Sequence, residues 1–79
     1  MRTLGQISHP EATISIFSWN GKFIVKFERG LLEQVYKFEH LDFESEAEFR
    51  AKIDSEFIAS VVGAFSGMHE THSKLAGES

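Results

Sequence analysis

The stretch TISIFSWNGKFIVKFE, Thr13 to Glu28, decides the fold. Two runs rich in β-branched and aromatic residues flank Asn20-Gly21, a dipeptide that tolerates positive φ at both positions. A type I′ turn requires this, and its twist matches that of the strands it joins. The stretch therefore reads as a β-hairpin with strands over 12–19 and 22–28. A two-residue turn pairs Trp19 with Lys22, Phe17 with Ile24, Ser15 with Lys26 and Thr13 with Glu28. Side chains alternate along a strand, so these residues share one face. The opposite face carries Ile14, Ile16 and Ser18 against Phe27, Val25 and Phe23. It is almost continuously apolar and requires a cover.

Downstream, Arg29-Gly30 reads as a second turn and 31–39 as a third strand. A two-residue turn there sets Lys26 opposite Glu33, Ile24 opposite Val35, Phe23 opposite Tyr36 and Phe27 opposite Leu32. Leu32, Tyr36 and Phe38 then join the covered face, and Leu31 and Val35 the other. A three-residue turn with Gly30 in a bulge would exchange these sets. The first register is preferred, because it pairs opposite charges and sends the aromatics inward.

After a connection over 40–44, Ser45-Glu46-Ala47-Glu48 has the form of a capping box, with Ser45 as N-cap. A helical pattern continues to about Leu75. At about 100° per residue, Phe49, Ile53, Phe57, Val61, Ala64 and Met68 form one stripe. Ile58, Val62 and Phe65 form a second beside it, extended by His69 and His72. One sheet cannot cover both. A helix over 45–75 would be roughly 46 Å long at 1.5 Å per residue, whereas eight-residue strands span roughly 26 Å. It must overhang the sheet or bend, and Gly63 and Gly67 are the places where it could break. These glycines also complete a small-residue strip with Ala59, Ser60 and Ser66.

Upstream, residues 1–11 read as an arm, with His9-Pro10 forcing an extended step; whether the arm adds a strand is left open. Residues 73–79 read as a disordered tail. The expected fold is α+β: one domain over 12–72, a three-stranded antiparallel meander with one long C-terminal helix packed on one face.

Composition narrows the function. The chain has 79 residues, which makes one small domain that buries only about 60–65% of its unfolded surface. Such domains usually need a disulfide, a metal or self-association. With no cysteine, disulfides and thiolate metal sites are excluded. The net charge of −4 opposes generic phosphate binding. The first residues lack the apolar core of a signal peptide, and no apolar run approaches the roughly 20 residues that span a bilayer. A cytoplasmic protein without membrane association is expected.

Chemistry finds few footholds. In Met68-His69-Glu70-Thr71-His72 the histidines are three apart, not four with an intervening glutamate as in the zinc-protease motif. A third ligand would have to come from His9, His40, Asp54 or another chain, and solvated histidines near a helix end explain them more simply. Serines lack a histidine at a motif spacing. Asp42, Glu44, Glu46 and Glu48 suit a helix amino terminus, and Gly21 and Gly30 punctuate hairpins rather than cradle phosphate. No catalytic residue, cofactor or metal is assigned, and an enzyme is not expected. Trp19, Phe17, Lys22 and Lys26 could offer a stacking platform for single-stranded nucleic acid, but Glu28 and Glu33 fall on the same face.

The run Ile16-Phe17-Ser18-Trp19-Asn20-Gly21-Lys22-Phe23-Ile24-Val25-Lys26-Phe27, followed by Leu32-Glu33-Gln34-Val35-Tyr36-Lys37, resembles a group of short bacterial proteins of unknown function. The resemblance spans about residues 12–70 and implies no activity, cofactor or catalytic residue. The expectation is a homodimeric, non-enzymatic interaction or regulatory module with a possible protein partner. Its candidate contact residues are Trp19, Phe17, Ile24 and Val35 on the sheet and Ile58, Val62 and Phe65 on the helix.

Overall fold

Asn20 and Gly21 adopt φ of 53° and 75°, the positive pair that closes a type I′ hairpin. In the computed structural model, which describes residues 1–77, the chain forms β1 (Arg2–Ile7), β2 (Thr13–Trp19), β3 (Lys22–Arg29) and β4 (Leu32–Glu39). A short 3₁₀ turn (His40–Asp42) leads to α1 (Glu46–Lys52) and α2 (Ser55–Leu75). Every β2–β3 partnership expected from the turn is present, from Trp19 with Lys22 to Thr13 with Glu28.

The sheet has four strands in the order β1-β2-β3-β4, not three. The arm is β1, antiparallel to β2, with Thr3 opposite Phe17 and Gly5 opposite Ile16. Leu4 is the extra residue of a bulge between them. That bulge breaks the alternation of apolar and polar residues by which a strand is recognised. Arg50 of α1 donates to the Leu4 carbonyl. Glu46 holds Arg50 at 3.2 Å and Arg2 at 3.1 Å, tying the first strand to the first helix.

The second hairpin turns at Gly30-Leu31, one residue later than expected. Gly30 has φ of 60°, and Leu31 has no positive φ. This is the pattern of a type II′ turn, which places glycine first. Lys26 therefore faces Val35 rather than Glu33, Ile24 faces Lys37, Phe23 faces Phe38 and Phe27 faces Gln34. The register moves by two residues, so parity survives: Leu32, Tyr36 and Phe38 still point toward the helices, and Val35 away.

The long helix is two helices. Ile53 is non-helical (φ −85°, ψ 69°), and the extended Asp54 caps α2, its carboxylate accepting the Phe57 N–H at 2.9 Å. Gly63 and Gly67 lie inside uninterrupted α2 and do not break it. At the start of α1, Ser45 Oγ accepts the Glu48 N–H at 3.1 Å, while the Glu48 carboxylate accepts from the Glu44 N–H at 3.0 Å. The reciprocal half of the box thus reaches one residue further back than expected.

The break at 53–54 uncouples the helical phase of the two halves. On α2 the line facing the sheet runs through Phe57, Val61, Phe65 and Met68, with Phe65 only 1% exposed and Ala64 outside. Phe65 therefore belongs to the core, not to a spare stripe. Phe49 of α1 stacks on Phe23 with ring centroids 4.6 Å apart, and Phe57 meets Phe27 and Tyr36 edge-on, each at 5.9 Å. Gln34 adds a polar tie, its Nε2 donating to the Val61 carbonyl at 2.8 Å while its Oε1 accepts from the Tyr36 hydroxyl at 2.6 Å. Residues 73–75 are helical rather than frayed, and 78–79 lie outside the described residues. Leu75 shares the helical phase of Phe57 yet is 93% exposed, so the last turns of α2 project past the sheet.

Candidate functional site

Both helices pack on one side of the sheet, which leaves the other side bare. Register assigns that bare face: Phe17 stands directly opposite Ile24. Ile24 faces Lys37, so Val35 lies diagonally beside it on β4. Trp19 closes the row at the hairpin end, opposite Lys22. The result is an apolar diagonal running from Phe17 through Ile24 to Val35, with Trp19 at its flank.

Exposure grades these residues. Trp19 is 52% and Val35 44% exposed, whereas Ile24 is only 6% exposed, although no element covers it. Its flanking side chains bury it, so Ile24 is the floor of the patch and Trp19 and Val35 its accessible parts. Phe17 is half-buried between them.

Charge surrounds the diagonal. Lys22 lies 3.6 Å from Glu39, and Lys26 lies 3.6 Å from Glu28 and 3.9 Å from Glu33. Lys22 and Lys26, the cations of a nucleic-acid platform, are thus engaged by carboxylates on their own face. Lys37 makes no ion pair among the described residues.

The three helix candidates do not form a second open patch. Phe65 is buried, and Ile58 and Val62 are half-buried at the side of α2. His69 and His72 line an open cleft of about 550 Å³ with Arg29, Leu32 and Phe65. The other residues weighed as ligands are engaged elsewhere. His40 Nε2 lies 3.0 Å from Ser18 Oγ, and its ring sits 4.1 Å from Phe23. His9 Nδ1 accepts the Glu11 N–H, and Asp54 caps α2. Among the described residues, no three His, Cys, Asp or Glu side chains group as metal ligands, and no helix is long and apolar enough to cross a membrane.

One feature of the site is invisible in side-chain patterns. His40 N–H bonds to the Gly21 carbonyl at 3.0 Å, continuing the β3–β4 ladder. Antiparallel pairing alternates, so the even-numbered residues of β4 bond to β3, and Glu33, Val35 and Lys37 aim their N–H and C=O groups outward. Among the described residues, no backbone bond outside the sheet ladder engages them. No protein family, curated protein or solved structure matches the chain.

Proposed function

We propose that the protein is a small non-enzymatic interaction module that acts as a homodimer and presents its bare sheet face to another protein. The observation that carries this reading is the apolar diagonal of Phe17, Ile24 and Val35 with exposed Trp19, on a face that neither helix covers. A large aromatic beside aliphatic neighbours and a charged rim is the composition of a contact hot spot. Light scattering at micromolar concentration should give about 18 kDa, twice the 9.0 kDa chain; a stable monomer would overturn the homodimer. Phe17→Asp should retain the far-UV dichroism of the parent and lose the protein captured by the wild-type chain. Equal capture by both would exclude this face.

A second reading draws on the same face. Trp19, Phe17, Lys22 and Lys26 do lie together on it, as a single-stranded nucleic-acid platform requires. The carboxylates beside both lysines weaken that reading. Titration with an oligothymidylate at low salt decides it, since stacking on Trp19 would quench the fluorescence of the chain's one tryptophan.

A further inference from the structure

The two edges of the sheet are built differently. The β1 edge is interrupted by the bulge at Leu4, whose carbonyl is occupied by Arg50. Bulges of this kind protect an edge from pairing with another chain. The β4 edge is regular over all its residues, with no bulge and no proline. It presents the outward backbone groups of Glu33, Val35 and Lys37 in an unbroken row.

Along that row the side chains read Glu33, Val35, Lys37, Glu39. Pairing with an identical antiparallel strand about a two-fold axis allows only a few registers. Centring on Tyr36 would oppose Glu33 to Glu39, and centring on Lys37 would oppose that lysine to its own copy. Centring on Val35 sets each Glu33 opposite a Lys37 and lays Val35 against Val35. In that register the three pairs Glu33 with Lys37, Val35 with Val35 and Lys37 with Glu33 each join outward-directed backbone groups, giving six N–H···O=C bonds across the axis. Among the described residues Lys37 has no ion pair, and Glu33 has one at 3.9 Å, the long limit for such a contact. Lys37 can engage a copy directly, and Glu33 can do so by exchanging a long contact for a closer one.

We infer that the chain dimerises edge to edge, β4 against antiparallel β4, with the two-fold axis at Val35. This rests on the homodimer reading above and names its surface. The product is one sheet of eight strands, twice the four of the monomer. An open groove between Leu32 of β4 and Ala64, Gly67 and Met68 of α2 has small residues on its helical wall. On the bare face the two apolar diagonals meet at Val35, so the row from Phe17 to Val35 continues into its copy.

The test is a charge swap read by sedimentation equilibrium. Lys37→Glu opposes like charges twice across the axis and should raise the dimer dissociation constant on the order of 30-fold. Glu33→Lys combined with Lys37→Glu re-forms both pairs in reverse and should restore association to within a few-fold. Val35→Pro removes only an outward N–H, a place where an edge strand accepts proline, and should give a folded monomer. Amide exchange at Glu33, Val35 and Lys37 should slow as concentration rises. A wild-type chain that is monomeric throughout would defeat the homodimer reading itself. A wild-type dimer that ignores Lys37→Glu and Val35→Pro, yet dissociates with Phe17→Asp, would leave that reading standing and overturn the edge assignment.

Discussion

Gly30, with φ of 60°, sets the register of the β3–β4 hairpin. An alanine there would hold its Cβ against the following carbonyl, so Gly30→Ala should lower stability by about 1–2 kcal/mol, measured by urea unfolding. The position of the turn was legible in principle. A type II′ turn places glycine first, which puts Leu31 inside it, where Leu31 is 86% exposed. The opposed charges of Lys26 and Glu33 favour the other register, but at 3.9 Å they meet diagonally in the actual one. Gly5 is the harder residue to read. Its φ is 144°, and a Cβ there would meet Arg50 Nη2 at 3.2 Å. Only the packed structure brings Arg50 to that point, from a position far along the chain. Gly5→Ala should therefore destabilise both by backbone strain and by displacing the guanidinium, with lost amide protection in β1 as the measurement.

At the scale of elements, the division of the helix matters most. Asp54 begins α2, and replacing it with alanine leaves the Phe57 N–H without its cap; Asp54→Ala should cost about 1 kcal/mol in the same unfolding assay. Asp54-Ser55-Glu56 has the residue types of a helix start, but the apolar periodicity running through Ile53 and Phe57 masks it. With the break in place, the phase of α2 follows Val61 and Phe65. Phe65→Ala should then cost about 3–5 kcal/mol, a large share of the stability of so small a domain, while Val62→Ala should cost below about 1 kcal/mol. A reversal of that order would mean that the helix is rotated about its axis. The sheet face was easier to read, because period-two alternation survives a register shift of two residues and Asn20-Gly21 anchors it. Helical phase has no such anchor once a break intervenes.

For the whole molecule, the proposed contact face and the helix-covered core lie on opposite sides of the sheet, and substitutions should separate them. Phe17→Asp should cost about 1–2 kcal/mol, less than Phe65→Ala, because half-buried Phe17 pairs with Ile24 on the face away from the helices. That Trp19, Phe17, Ile24 and Val35 share the face away from the helices was legible from strand alternation, although the burial of Ile24 was not. The β4 edge was not, since an edge is defined by where a sheet stops, and the arm that became β1 hid how many strands there are. The bulge at Leu4 has a consequence beyond the first strand. A smooth β1 would accept β4 of another copy head to tail, and each such union would expose a fresh pair of ends, a geometry that repeats without closing. With β1 blunted and Arg50 seated on the Leu4 carbonyl, the proposed β4 pairing would leave one open edge per chain, so two chains would use up both. On that proposal the irregular strand would act as a chain terminator, setting the difference between a particle of fixed size and a fibre.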